Sequence, residues 1–275
     1  MKDEVPVFGG WAGWGLLTSP FLLLTCFYWV NFLDIIDFVV LGVGGFLIGV
    51  MRAGFGGGIG VVAVPVLALA VPAKSALGLV LPLSLATDVI SARYYWGHWV
   101  GDHVKALMPG MVLGILVGAG ILDIVPEAWF RRMLGALACI FAVLQTMRDR
   151  VLVNVKPPGP WMRFGVGVTL GVVSTLVSAG GVILMLYLLP QGLIGRTFVG
   201  TAWIFGIVLN LLKLTPYVFL GLINFQSLVM NVWMLPALFL GAAVGLFLNR
   251  RLSPVWFNRS VLVLVLGIGL KLMLS

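Results

Sequence analysis

The chain has 275 residues, 61% of them hydrophobic and only 9% charged, with a formal net charge of +8 and a mean hydropathy of +1.14. Soluble domains carry about 25% charged residues, so this composition excludes a soluble protein and leaves the functions of an integral membrane chain: transporter, channel, membrane enzyme or scaffold. The basic residues are scattered over short loops rather than gathered into a stripe, which sets nucleic acid aside as a partner and reads as a topology signal.

The first apolar run, residues 11–33, follows an acidic as well as a basic residue and lacks a small-residue cleavage site, so it reads as a retained helix within an N-terminal unit, 1–37. Further apolar segments are predicted at 38–54, 57–72, 75–96, 105–122 and 128–147, divided at Gly, Pro and charge. A polar stretch, MRDRVLVNVKPPGPWMR, interrupts them, and the pattern restarts at 162–178, 180–195, 197–219, 228–248 and 255–274. Cys26 and Cys139 lie in apolar segments with no CxxC or metal spacing and read as small buried hydrophobes. Most of the tryptophans, at 96, 99, 129, 161, 233 and 256, flank segment ends as an interfacial belt does, and Pro82, Pro109 and Pro236 read as kinks or helix starts.

The two halves overlay with an offset of 122, which aligns Gly49 with Gly171, Gly58 with Gly180, Lys74 with Arg196, Ser75 with Thr197, Asp88 with Asn210 and Asp102 with Asn224. Near the end the offset becomes 127, where PEAWFRR parallels SPVWFNR. This is an internal duplication. Its units are 38–147 and 162–275, joined by a cytoplasmic linker at 148–161. Each unit has five segments, or three spanning helices and a hairpin; both counts are odd, so tandem copies must be inverted in the membrane. With the N-terminus in the cytoplasm, eleven basic residues (Lys2, Arg93, Lys105, Arg148, Arg150, Lys156, Arg163, Arg196, Arg250, Arg251 and Arg259) fall inside. Only Lys74, Arg131, Arg132 and Lys271 fall outside, as the positive-inside rule requires, and the C-terminus is then external. Equivalent loops also exchange character: GHWVGDHVK is basic, LTPYVFLGLINFQS uncharged.

The stretch MRAGFGGGIGVVAVP places five glycines within seven positions of an apolar run. Each glycine costs a helix interior roughly 1 kcal/mol relative to alanine, so the segment is expected to break into two half-helices. Membranes tolerate irregular backbone only where it is buried in protein or lines a watery cavity. The partner stretch STLVSAGGV is likewise small and polar. Two such breaks meeting near the midplane would offer backbone N–H groups and positive half-helix ends to an anion. A nucleotide cradle fits poorly, because no strand precedes the glycines, no acidic residue follows at the spacing a βαβ unit needs, and GK[ST] is absent. Close helix packing through pairs such as Gly49 and Ala53 is compatible with a site.

The residues GFGGGIGVVAVPVLAL, then PAKSALGLVLPLSLATDVISA, and a weaker second copy ending in GRTFVGTAWIFGIVLNLL resemble the sulfite exporter TauE/SafE family. The resemblance covers nearly the whole chain after the first helix. It implies an all-helical permease of two inverted repeats that moves sulfur-containing anions, such as sulfite or sulfonates, across a bacterial inner membrane. The second copy departs from the pattern, with SAGG in place of three consecutive glycines and no proline at Leu188 to match Pro65.

Arg52, Asp88 and Lys213 are ionisable residues at membrane depth, where each costs at least ~2.5 kcal/mol and should face protein. Arg52 could grip two oxygens of an anion through its planar fork, or pair with Asp88 to hold helices together. Asp88, flanked by Ser84 and Ser91, can carry a proton for coupling, or form an ion pair with Arg52 or Lys213. Lys213 adds positive charge to the second repeat, or snorkels to the outer interface because Pro216 ends its helix nearby. His98 and His103 are five apart, off the spacing that puts two metal ligands on one helix face, and read as an interfacial pair.

The expected fold is therefore all-α and polytopic: an extra N-terminal helix, then two inverted repeats, each with a glycine-broken, re-entrant-like hairpin and three spanning helices. The expected function is secondary transport, as an exporter, of a small sulfur anion bound at the midplane between the hairpins. An anion channel is the alternative, and an intramembrane enzyme is disfavoured because GxSxG, HExxH and paired membrane aspartates are missing. The expected substrate contacts are Arg52, Gly54, Gly56, Gly57, Gly58, Ser174, Thr175, Ser178, Gly180 and Gly181, with Asp88, Lys213 and Asn210 as coupling or ion-pair residues. No metal, cofactor or nucleic acid is called for; the partners are the anion and membrane lipids.

Overall fold

The structure, a computed structural model, describes residues 35–55, 62–151, 159–193, 195–251 and 254–274; the expected helix at 11–33 lies outside them. All the regular structure they form is helical: α1 (Ile35–Phe55), α2 (Ala63–Leu67), α3 (Ala73–Tyr95), α4 (Gly101–Ile124), α5 (Glu127–Val151), α6 (Pro160–Val177), α7 (Gly180–Leu188), α8 (Gly195–Phe219), α9 (Phe225–Arg251) and α10 (Pro254–Leu274). Five helices are long and apolar enough to cross a membrane over their described residues, namely α3, α4, α6, α8 and the Phe225–Gly245 part of α9, with shorter apolar stretches in α1, α7 and α10. The chain is a polytopic membrane protein.

Helix ends fall where local chemistry places them. Proline starts α6 and α10, as its fixed φ and missing N–H favour. The first turn of α3 has no side-chain cap of its own; the Glu127 carboxylate at the start of α5 accepts from the amides of Ala73 and Lys74 instead. Nearby, Lys74 donates through Nζ to the Leu122 carbonyl in the last turn of α4, a cation at a helix C-terminus. These ties join α3, α4 and α5 at one end. Proline does not stop the long helices: Pro82, Pro109, Pro216 and Pro236 all lie inside them. In particular α8 runs past Pro216 by one turn and ends at Phe219, the end expected for that segment.

Apolar side chains face lipid as readily as they face protein, so packing here depends on close backbone approach. The most extensive helix contacts are α1 with α9, α4 with α6, and α5 with α10. In the first pair, a Cβ on Gly49 would collide with the Leu238 carbonyl, and one on Gly241 with the Phe46 carbonyl. In the second, Gly110 and Gly114 lie against the backbone at Phe164 and Val168, and Gly167 and Gly171 against that at Leu107 and Met111. Both pairs use glycines four residues apart on each helix, 45 and 49 with 241 and 245 in the first and 110 and 114 with 167 and 171 in the second, the spacing that lets two helices touch. Between these flanking pairs, α3 crosses α8, and the fully buried Leu77, Leu79, Leu81 and Leu83 of α3 enter the main core with Leu67 of α2 and Tyr217 of α8.

Candidate functional site

Helix α6 stops because Ser178 adopts a left-handed backbone, φ 54° and ψ 22°, while its amide still donates to the Ser174 carbonyl at 3.1 Å. Ser178 is the only non-glycine residue with positive φ among the described residues, a conformation that costs an L-residue about 1 to 2 kcal/mol. Ala179 follows, and α7 begins at Gly180. The hairpin predicted from STLVSAGGV is therefore two helices meeting at a two-residue break. The first amides of α7, at Gly180 and Gly181, have no acceptor earlier in their own helix.

Opposite the break stand α3 and α8. They run antiparallel: a Cβ on Gly200, near the start of α8, would strike the His98 carbonyl just after α3, and one on Gly78 would strike the Leu222 carbonyl just after α8. Where they cross, the Asn210 amide donates through Nδ2 to Oδ2 of Asp88 at 2.9 Å, and the Trp203 indole donates to the Asp88 backbone carbonyl at 3.0 Å. Asp88, Asn210 and Lys213 are 6%, 3% and 2% exposed, so all three are buried at the crossing. Lys213 donates through Nζ to the Ser174 carbonyl at 3.2 Å and lies 6.0 Å from the ring centroid of Tyr217. The snorkelling expectation is corrected: the ammonium turns inward, to the last turn of α6, where it is a second donor to the Ser174 carbonyl and places positive charge at the negative end of the helix.

A cavity of about 60 Å³ opens at this junction. It gathers Asp88, Asn210, Lys213, Ser174, Ser178, Gly180 and Gly181, seven of the thirteen residues marked in the sequence as site or coupling candidates. Thr175 is buried beside it but does not line it; its hydroxyl donates back to the Gly171 carbonyl at 2.9 Å. Arg52 and Gly54 stand in the last turn of α1, with side chains outside the described part, and Gly56, Gly57 and Gly58 lie outside the described residues. Ser91, Tyr95 and Trp203 line the cavity without having been marked as ligands. A signal for them existed: 88, 91 and 95 follow one helical face, as do 199, 203, 206, 210 and 213. His98 and His103 take separate partners, the Trp96 carbonyl at 3.0 Å and the Tyr187 hydroxyl at 3.1 Å.

A buried ammonium, three serine hydroxyls and two leading amides converge on a space of a few water volumes, beside one carboxyl held by an amide donor. Such an arrangement can take the oxygens of a small anion in place of its hydration shell. Compared with known families, residues 41–272 match the family model described as sulfite exporter TauE/SafE. Comparison with curated proteins and with solved structures gives no match.

Proposed function

The chain belongs to the sulfite exporter TauE/SafE family, whose members are permeases and not enzymes, and from that premise we propose that it carries a sulfite-sized oxyanion through the cavity between α3, α6, α7 and α8. One observation carries the reading: the buried Lys213 lines a polar cavity at a helix break, at a depth where an ammonium is retained only with partners. On the same measure a single water needs about 10–15 Å³, so the cavity has room for roughly four to six waters, or one pyramidal or tetrahedral oxyanion. A sulfonate with a two-carbon chain needs a wider conformation. The proposed ligands are the Lys213 ammonium, the hydroxyls of Ser91, Ser174 and Ser178, and the amides of Gly180 and Gly181, with Arg52 and the glycines of the first repeat completing the site.

The test is flux. Purified protein in proteoliposomes should take up labelled sulfite with saturation and with competition from unlabelled sulfite, more strongly than from taurine or sulfoacetate. Conductance far above carrier turnover would replace the carrier with an anion channel, and no sulfite flux at all would remove sulfite as cargo.

The repeats are proposed to be inverted. Asp88 and Asn210, which the 122 offset equates, are hydrogen-bonded to each other, as residues on a two-fold axis would be. Gly49 and Gly171, also equated, each pack against the fourth described helix of the other unit, α9 and α4 respectively. With the N-terminus cytoplasmic, a cysteine placed near Ser275 is expected to label from outside and one at Asn154 to stay unlabelled; the reverse would overturn the orientation.

Asp88 is proposed to carry the coupling proton. Asp88→Asn keeps an oxygen to accept from Asn210, so folding and sulfite binding are expected to persist while uptake driven by a proton gradient falls to the rate seen without one. Gradient-driven uptake at the wild-type level would end this role.

A further inference from the structure

Tyr217 is fully buried, and its hydroxyl donates to the Thr175 carbonyl at 2.6 Å. One turn earlier on α8, Lys213 donates to the adjacent Ser174 carbonyl. Two neighbouring side chains of α8 thus fasten it to the last turn of α6, directly before the break at Ser178. On this side of the Asp88–Asn210 contact the molecule is closed: Tyr217 lies in the main core with Leu77, Leu79 and Leu81.

The other side is different. Beyond Asp88 the cavity continues along Ser91 to Tyr95 on α3, and to Val199 on α8. Tyr95 is partly exposed and lines open space. The offset of 122 that relates Asp88 to Asn210 also relates Tyr95 to Tyr217, Leu77 to Val199, Gly78 to Gly200 and Ala53 to Thr175. The same position is therefore sealed in one copy and open in the other. A duplicated structure with two such unlike halves can exchange them, so that each copy takes the arrangement now held by its counterpart.

We propose that Tyr217 and Tyr95 are the gate residues of the two ends of the transport path, one latched and one open in this conformation, and that they exchange roles in each cycle. In the alternate state Tyr95 donates to the Ala53 carbonyl in the last turn of α1, while Tyr217 leaves Thr175 and lines the path. The inference rests on reading the cavity as the anion site. It adds a role for a tyrosine that does not touch that cavity.

The test uses a background with Cys26 and Cys139 replaced by serine and single reporters at the equivalent positions, Val199→Cys and Leu77→Cys, in oriented proteoliposomes. A membrane-impermeant thiol reagent should label Val199→Cys from one side and leave Leu77→Cys protected. Adding Tyr217→Phe removes one hydrogen bond, a net contribution of about 1 kcal/mol, so the alternate state should gain roughly five-fold in population and Leu77→Cys should label about five-fold faster, from the opposite side. Tyr95→Phe should slow that labelling or leave it unchanged. Leu77→Cys labelling unaltered by Tyr217→Phe would overturn the latch; Val80→Cys, the counterpart of Ala202, serves if Leu77→Cys does not fold. A general loosening would also speed labelling of Leu107→Cys, buried in the second core cluster, and that result would overturn it too. Sulfite should slow labelling of Val199→Cys. Its failure to do so would refute the cavity as anion site, whereas protection with no effect of Tyr217→Phe would refute only the gate.

Discussion

Lys213→Met is expected to weaken sulfite binding roughly ten- to a hundred-fold, measured by calorimetry on detergent-solubilised protein. A charge-assisted hydrogen bond contributes about 1.5 to 3 kcal/mol, and an anion that has shed its water inside the cavity has few other positive partners to turn to. Methionine keeps the length and apolar stem of the side chain, so the packing of α8 against α6 should survive. The Ser174 carbonyl still receives the Ser178 amide at 3.1 Å, so the helix end is not left bare. Lys213→Arg should recover part of the affinity, because charge returns while the bulkier fork disturbs the contact with Ser174. A folded Lys213→Met protein that binds sulfite as tightly as the wild type would move the anion away from this cavity and reduce Lys213 to a cap on α6.

The second large effect concerns folding. Gly114→Leu is expected to lower stability by about 3 kcal/mol or more, seen as loss of the monodisperse peak and a lower melting temperature in detergent. A Cβ at Gly114 would overlap the Val168 carbonyl and crowd the Cα of Gly171, and backbone cannot rotate away as a side chain can. Relief requires α4 and α6 to separate, which loosens the contact that holds the end of α6, and with it Ser174 and Ser178, beside α8. Gly120→Leu is the control. The space around Gly120 is open for 4 Å, so this substitution on the same helix should melt close to wild type. Equal losses in both variants would mean that helix propensity, and not close approach, sets the effect.

The membrane class, the bounds of several long helices, and the residues at the α6–α7 break were legible in the sequence because each is set by a local cost. Unpaired backbone and buried charge are so unfavourable in hydrocarbon that a run of small polar residues, or a lone Asp88 or Lys213, marks itself without reference to the rest of the chain. The ends of three long helices behaved the same way, the predicted 75–96, 162–178 and 197–219 lying within two residues of α3, α6 and α8, whereas 180–195 is corrected to an α7 that stops at Leu188, and of 57–72 the described residues form only the short α2. Facing direction was not legible. Lys213 could be read as reaching outward or inward, and only the path of α8 beyond Pro216 and its contact with α6 turn the ammonium toward Ser174. Nothing local to Glu127 ties it to the first amides of α3, 53 and 54 residues away; the fold brings them together. Among 36 glycines, nothing in the local sequence separates Gly114, pressed on Val168, from Gly120, which meets nothing. Local chemistry acts over a helical turn and over depth in the bilayer, so sequence alone determines which residues must be sheltered. Which of them share one cavity depends on helices that meet across 122 residues, as at Asp88 and Asn210, and only tertiary packing decides that.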